Sequence, residues 1–238
     1  MANLRITWLG HGGILYRSPN DAGVWVDRWT GAPTYPDAYR KAERVSVVAP
    51  THGHFDHVGD DLADVLELAK ADGAAVVCSH EMSIFLGSKG VEAVGMNKGG
   101  TFEAAGIGFT MVHADHTGGA TLTTGDGQVT RDFGSWGWVL QFEDGTTVYH
   151  SGDTDVFGDM RLVEQRFHPE IVVLPIGGHY TMGPRDAGIA LDMIGASTVI
   201  PVHFGTFPAL AGTPEQLRDH TSADVVALEP GETWEAQP

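Results

Sequence analysis

The feature that most constrains this chain is the run Thr51-His52-Gly53-His54-Phe55-Asp56-His57, in which three histidines and an aspartate fall within six positions. The run follows the apolar stretch Val45–Ala49 and precedes a helical pattern, which predicts that it lies where a strand ends. In an extended segment His52 and His54 point the same way, because side chains alternate with period two. Both imidazoles can therefore bind one metal ion. Asp56 and His57 follow where the chain turns into the helix, and there they can face a second ion beside the first. These donors suit Zn²⁺, and Mn²⁺, Fe²⁺ and Ni²⁺ accept the same ones.

Four donors cannot complete two hydrolytic metal sites, so we expect further ligands at other strand ends. Asp153 and His203 each follow a predicted strand, and so does the segment that contains His113 and His116. Open α/β sheets place their sites where strands end. The sequence therefore predicts that residues distant along the chain join the run at 52–57.

Strand and helix patterns alternate along the chain. The predicted strands are Leu4–Trp8, Ile14–Arg17, Val24–Val26, Val45–Ala49, Ala75–Cys78, Ile107–Val112, Trp138–Phe142, Thr146–His150, Ile171–Leu174 and Val199–Val202. The predicted helices are Asp60–Ala71, Ser83–Gly87, Asp159–Phe167, Pro184–Ile194 and Pro214–Asp219. This mixture predicts sheets covered by helices in one domain, residues 1–238. The Gly- and Thr-rich stretch Thr117–Thr130 is predicted as a long mobile loop, either shaping the site entrance or serving as a solvated connection.

The charge of the chain argues against nucleic acid as a partner. Its 14 Lys and Arg against 31 Asp and Glu give a net charge of -17, which repels phosphate backbones. No stretch of about 18 apolar residues and no basic leader before an apolar run occurs, so neither a membrane partner nor secretion is predicted. The single cysteine, Cys78, excludes an internal disulfide and favours a cytoplasmic location. We expect a small-molecule substrate, with assembly into a homo-oligomer left open.

The run His52–His57 resembles the defining His-x-His-x-Asp-His motif of the metallo-β-lactamase superfamily, and the later histidine, aspartate and histidine follow in that family's order. Within the superfamily the chain looks most like bacterial metal-dependent hydrolases related to the ascorbate-phosphate lactonases. The segments that carry this likeness are Trp8-Leu9-Gly10-His11, 175–184 and 201–208. The resemblance implies a four-layer αββα sandwich with two metals at the edge of the two sheets.

Carried over by position, the resemblance implies how the ligands divide between two ions. One ion would be held by His52, His54 and His116, and the other by Asp56, His57 and His203, with Asp153 bridging both. It favours His116 over His113, because the branch places its ligand just before a hydroxyl residue, here Thr117. The chain departs from this branch at Arg28, which follows Asp27 where the branch more often has proline.

A pair of divalent ions predicts hydrolysis, since it lowers the pKa of a bridging water from about 15.7 towards about 7 and polarises the bond under attack. Asp56 would ligate one ion, and its further role is either to orient the nucleophile or to relay a proton to the leaving group. No Gly-x-Ser-x-Gly motif is present to suggest a serine nucleophile. We expect cleavage of an ester or lactone bond. The alternative is a phosphodiesterase acting on a small nucleotide or lipid headgroup, with Arg185 as a phosphate clamp.

Other functions fit the sequence less well. A metal-stabilised binding module would close its zinc site with four protein ligands and would need no second ion. The resemblance implies a flavin domain or a glutamate ligand for an iron-dependent oxidoreductase, and neither is evident. A thiol-dependent, glyoxalase-like hydrolase stays open.

Several residues outside the ligand set are candidates for contacts near the metals. His11, His179 and Tyr180 are predicted to bind substrate. The alternative for all three is a structural contact within a turn, and His11 could also support the metal ligands from behind. His150 and Trp138 are predicted to pack in strands, and Trp136 is left without a preference.

Overall fold

The computed structural model describes residues 2–41 and 45–236. Its strands are β1 (Arg5–Trp8), β2 (Ile14–Arg17), β3 (Gly23–Val26), β4 (Val47–Val48), β5 (Ala75–Ser79), β6 (Ala93–Met96), β7 (Thr101–Ala104), β8 (Ile107–His113), β9 (Gly119–Thr124), β10 (Gly127–Asp132), β11 (Trp136–Gln141), β12 (Thr147–His150), β13 (Ile171–Pro175), β14 (Thr198–Val202), β15 (Asp224–Val225) and β16 (Thr233–Glu235). Its α-helices are α1 (Phe55–Val58), α2 (Ala63–Asp72), α3 (His80–Ser88), α4 (Met160–Phe167), α5 (Pro184–Ile194) and α6 (Pro214–Arg218).

The strands form two seven-stranded sheets and a separate hairpin. The first sheet has the order β16-β1-β2-β3-β4-β5-β6, antiparallel as far as β3 and parallel beyond it. The second has the order β15-β14-β13-β12-β11-β8-β7, antiparallel from β7 to β12 and parallel from there to β15. The parallel strands need crossover connections, and helices supply most of them.

The two sheets pack face to face, and helices cover their outer faces. Trp25 of the first sheet and Trp138 of the second belong to one buried apolar cluster. A second cluster joins Val172 of β13 to Leu191 of α5 on the far side of the second sheet. Full burial of one such side chain contributes about 1.5–3 kcal/mol. The predicted four-layer αββα sandwich is confirmed.

The prediction of a mobile loop at Thr117–Thr130 is wrong. This segment forms the hairpin β9–β10, in which Thr121 pairs with Thr130. The hairpin packs on the turn at Asp60–Leu62, where the backbone N–H of Thr123 donates to the carboxylate of Asp61. Every residue of β10 is exposed, so the strand has no apolar alternation from which the sequence could reveal it.

The helix predicted over Asp60–Ala71 begins later than expected. Asp60–Leu62 is a short 3-10 turn in which Asp61 and Leu62 have φ values of 55° and 61°. Left-handed conformations cost about 1–2 kcal/mol per residue, and the full burial of Leu62 offsets part of this. The helix end is as expected, because Gly73 caps α2 with a φ of 62°. No helix among residues 2–41 and 45–236 is both long and apolar enough to cross a bilayer.

Candidate metal centre

The seven side chains predicted as ligands converge where strands of both sheets end. We refer to them as the donor set: His52, His54, Asp56, His57, His116, Asp153 and His203. The segment after β4 carries the first two, α1 carries the next two, and the last three follow β8, β12 and β14. A single region of the molecule therefore collects donors that are up to about 150 positions apart in the sequence.

Three histidines of the donor set form one cluster. Donor atoms of His52, His54 and His116 all lie within 4.8 Å of one another. The His52 and His54 rings are 4.5 Å apart between centroids, at an angle of 82°. Burial is the largest effect on the pKa of each of the three imidazoles, and it lowers all three pKa values. The rings are therefore held neutral at pH 7, the form that offers a lone pair to a metal.

A second cluster lies beside the first. Donor atoms of Asp56, His57 and His203 lie within 4.8 Å of one another, together with a nitrogen of His11. The His57 and His203 side chains are almost fully buried and their rings stack 5.4 Å apart. Asp56 is the more open member, with 17% of its side chain exposed.

Asp153 lies between the two clusters. Its Oδ2 is 3.0 Å from Nε2 of His203, 3.3 Å from Nε2 of His57 and 3.7 Å from Nε2 of His116. The first two nitrogens belong to the second cluster and the third belongs to the first. One carboxylate oxygen therefore approaches members of both clusters.

The donor atoms of the second cluster suit a divalent cation. Nε2 of His57 and both ring nitrogens of His203 are buried and make no hydrogen bond, even though two of them lie close to Asp153. A buried polar atom without a partner costs about 1–3 kcal/mol. A metal ion bound between these imidazoles and the carboxylates of Asp56 and Asp153 would use the lone pairs that the protein leaves unpaired.

The charges around His57 favour positive charge at this point. Nδ1 of His57 is 2.8 Å from Oδ2 of Asp27, and its Nε2 faces Asp153. Burial alone would lower the pKa of His57, but the two carboxylates raise the pKa well above its ordinary value. The same carboxylates would stabilise a bound cation.

Asp27 contacts the donor set from behind, and the ligand motif did not reveal it. Its Oδ2 accepts hydrogen bonds from the Thr51 hydroxyl at 2.6 Å and from the His57 ring at 2.8 Å, and its Oδ1 accepts from the Thr51 backbone at 2.8 Å. Such a carboxylate fixes the tautomer and orientation of a ligating imidazole. The signal was available, since Asp27 directly follows a predicted strand, as several of the ligands do.

His11 lies behind the donor set and not at the cavity surface. Its Nε2 is 3.1 Å from Oδ2 of Asp56, its Nδ1 is 3.0 Å from the Thr206 hydroxyl, and its ring is 4.0 Å from that of His203. The side chain is 1% exposed. These contacts support the role behind the ligands, which the sequence left open beside substrate binding.

Two glycines provide the space for this packing. A Cβ on Gly12 would lie 2.6 Å from the His57 ring. A Cβ on Gly53 would lie 2.8 Å from the carbonyl oxygen of Gly118 and 3.0 Å from Phe133. A side chain at either position would displace the ligand-bearing segments.

The donor set opens into a cavity of about 1070 Å³. His54, Asp56, His116, Asp153 and His203 line its base. Its remaining walls are formed by Phe55, Asp115, Thr117, His179, Tyr180, Phe207, Pro208 and Ala209. The structure thus brings His179 and Tyr180 next to the donor set, whereas the β9–β10 hairpin does not contribute to the described lining.

The turn that carries Tyr180 is held in a defined position beside Asp153. The N–H of Tyr180 donates to Gly178 at 2.7 Å, and the N–H of Met182 donates to the carbonyl of Thr154 at 3.1 Å. The rings of His179 and Tyr180 are perpendicular, with centroids 4.4 Å apart. This wall is therefore anchored to the segment that carries the central carboxylate.

The other candidates lie away from the donor set. His113 contacts Lys98 and Phe157 and is not grouped with the described metal-binding side chains, so the structure favours His116. His150 is buried with its Nδ1 2.8 Å from the hydroxyl of Tyr16, as packing in a strand predicts. Trp136 and Trp138 are both buried, and the Trp138 indole donates to the carbonyl of Pro50 at 3.0 Å.

Comparisons with known proteins agree with this architecture. A family model described as a β-lactamase superfamily domain matches residues 21–204. A metal-dependent hydrolase of Koribacter versatilis is 43% identical over 98% of this chain and 99% of its own length. A second one, of Chloroflexus aurantiacus, is 42% identical over 97% of both chains. The solved structure of Igni18, a metallo hydrolase from the archaeon Ignicoccus hospitalis, matches with a TM-score of 0.81 and 31% identity, covering 98% of this chain and 99% of that one.

Proposed function

Since the chain belongs to the metallo-β-lactamase superfamily and is a metal-dependent hydrolase within it, we propose that it holds two metal ions and cleaves an ester or lactone bond in a small molecule. The position of Asp153 carries the proposal. Its Oδ2 lies within 3.7 Å of histidine nitrogens from both clusters, as a carboxylate shared between two ions requires.

The residues divide between two sites. His52, His54 and His116 would hold one ion, and Asp56, His57 and His203 the other, with Asp153 common to both. Zinc suits this set of imidazole nitrogens and carboxylate oxygens best, and manganese, iron and nickel accept the same donors. Divalent ions at these positions would supply Lewis acidity, lowering the pKa of water and polarising the bond to be cleaved.

Asp56 is our candidate for the group that handles a proton during the reaction. It lines the cavity and is fixed by His11, whose Nε2 is 3.1 Å from its Oδ2. Burial would raise the pKa of Asp56, but the hydrogen bond from His11 and the nearby charge of His57 lower it below the ordinary value. The carboxylate is therefore ionised at pH 7 and can accept a proton and pass it to the leaving group.

His179 and Tyr180 line the same cavity and are proposed to contact the substrate. They form the wall that follows β13, and their side chains are not engaged with the donor set. The phosphodiesterase alternative lacks comparable support. Arg185 is exposed and does not belong to the described lining of the cavity.

The proposal is tested with the purified protein, stripped of metal and reloaded with zinc or manganese, on matched panels of lactones, aryl esters, thioesters and phosphodiesters. We expect turnover of lactones or aryl esters that depends on metal. Preference for phosphodiesters or thioesters would contradict the ester or lactone assignment.

His54→Ala is the variant that links this activity to the metal. It removes one neutral ligand of the first cluster, so it should abolish turnover and lower bound metal while the circular dichroism spectrum stays that of a folded chain. His113→Ala is the matched control, because His113 lies outside the donor set and should be dispensable for metal. Near-normal activity of His54→Ala would count against the proposed ligands.

A further inference from the structure

From the walls of the cavity we infer that the substrate is an uncharged ester or lactone with a flat apolar body, which lies against an aromatic rim made of Phe55, Tyr180 and Phe207. The inference rests on the proposed function and adds the class of substrate. It depends on two independent properties of the cavity: its charge and its exposed aromatic surface.

The charge of the cavity disfavours anionic substrates. The described lining contains the carboxylates of Asp56, Asp115 and Asp153 and no lysine or arginine. Bound cations would offset Asp56 and Asp153, which belong to the donor set. Asp115 is exposed at the wall, and Lys98, whose charge interacts with it, lies outside the described lining. A substrate carboxylate or phosphate away from the metals would therefore face Asp115 and find no lysine or arginine on the described lining, in a chain whose net charge is already -17.

The side chains of the aromatic rim are exposed, whereas most large apolar side chains of the protein are buried. Phe55 is 50% exposed and Tyr180 is 59% exposed, and both border the cavity. Exposed rings beside a concave site are the groups that bury a flat apolar ligand with little loss of side-chain freedom. They provide binding surface and leave the chemistry to the donor set.

The rim is supported from behind. The Trp29 ring meets the edge of Phe55 at 5.5 Å and lies 5.9 Å from Phe207, and it also contacts His11 at 5.3 Å. Phe55 stands between the ligands His54 and Asp56 in the sequence, so its position is fixed by theirs. A ring bound on this surface would place a neighbouring carbonyl close to the donor set.

The test uses four lactones. They are δ-valerolactone, which has no aromatic body, dihydrocoumarin, its ring carboxylate and its ring carboxamide. Dihydrocoumarin also has the better leaving group, a phenolate, so it is compared with δ-valerolactone by KM and not by kcat/KM. In each reaction the oxygen of water adds to the carbonyl carbon, the ring C–O bond breaks and the departing oxygen takes a proton, so that a hydroxy acid forms. The carboxamide is the neutral control for the size of the carboxylate.

We expect the KM for dihydrocoumarin to lie below that for δ-valerolactone, and kcat/KM for the carboxylate to fall about tenfold or more below that for the carboxamide. Tyr180→Ala should raise KM for dihydrocoumarin by about three- to tenfold and leave δ-valerolactone nearly unchanged, whereas Tyr180→Phe should behave like the parent enzyme. Equal values for the carboxylate and the carboxamide would overturn the inference and leave the proposed function standing. If none of the four lactones is turned over by the metal-loaded enzyme, both are overturned.

A second experiment adds a positive charge to the wall of the cavity. Ala209 lines the cavity and is exposed, so Ala209→Arg should raise kcat/KM for the carboxylate selectively. Ala211→Arg is the matched control, since Ala211 is exposed two positions later but lines a different cavity of about 830 Å³. The same effect from both variants would overturn the inference, because it would report overall charge and not the charge of this cavity.

Binding without turnover supplies a readout that does not depend on catalysis. Two lactam analogues of dihydrocoumarin are used, one with a ring carboxylate and one with a ring carboxamide. Their binding to the protein is measured by ligand-observed NMR. The carboxamide should show saturation transfer that Tyr180→Ala weakens, and the carboxylate should show less. Equal transfer to both lactams, unchanged in Tyr180→Ala, would overturn the inference.

Discussion

The donor set and the aromatic rim border the same cavity but are built differently. Most of the donor set is buried, and its side chains are held by partners behind them, as Asp27 holds His57 and His11 holds Asp56. Phe55 and Tyr180 of the rim are half exposed. The Trp29 ring packs against Phe55, and the His179 ring and the backbone of its turn hold Tyr180. The difference matches the two tasks that we propose: each residue of the donor set is fixed by several contacts, whereas the residues of the rim keep exposed surface for the substrate.

The largest effect should come from the centre of the donor set. Asp153→Ala removes the carboxylate that approaches both clusters and leaves the imidazoles of His57 and His203 facing an empty space. We expect occupancy of both ions to fall together and kcat/KM to drop on the order of a thousandfold, measured by elemental analysis and lactone turnover. Asp155→Ala removes an exposed carboxylate two positions later and should change neither. Loss of a single ion in Asp153→Ala would contradict the bridging role.

A smaller effect should come from one layer further back. Asp27→Asn keeps the shape of the side chain and tolerates the left-handed φ of 51° at this position, but it weakens acceptance from Thr51 and His57. Metal affinity or activity should fall about 10- to 100-fold, as measured by competition with a chelator. Asp64→Asn is the comparison, because Asp64 is also buried but contacts Thr30 and Arg28, not the donor set. Equal loss of metal affinity in both would mean that general destabilisation, and not His57 orientation, is being measured.

The smallest effect should come from the rim. Tyr180→Ala removes a ring that is 59% exposed and whose described ring contact is with His179, so the free energy of unfolding should change by no more than about 0.5 kcal/mol. Metal content should be unchanged, as judged by elemental analysis alongside thermal unfolding. A large loss of metal or stability would show that the rim supports the centre and would remove the distinction between the two regions.

The same distinction decides what the sequence could predict. The donor set could be recognised because the run His52–His57 has a spacing that few structural roles require, and because the later ligands follow predicted strands in the order that the resemblance implies. The alternation of apolar residues also predicted most strands of both sheets. The partners behind the donor set were harder to recognise. Asp27 follows a predicted strand, as several ligands do, but it does not belong to a spaced motif.

The aromatic rim and the β9–β10 hairpin could not be predicted from the sequence, for physical reasons. Strand β10 is exposed along its whole length, so its residues show no period-two burial pattern. The late start of the helix predicted from Asp60 depends on left-handed backbone at Asp61 and Leu62, which packing stabilises. Which side chains face the cavity, as Tyr180 does and Arg185 does not, depends on turns that periodicity cannot orient.

The most direct test of a two-metal centre is a count of bound ions against activity. The metal-free protein is titrated with zinc or manganese while bound metal per chain and lactone turnover are both followed. The proposed two-metal centre predicts that activity reaches its plateau only at two ions per chain, since one cluster of donors would otherwise stay empty. Full activity at one ion per chain, with the second cluster unoccupied, would contradict it.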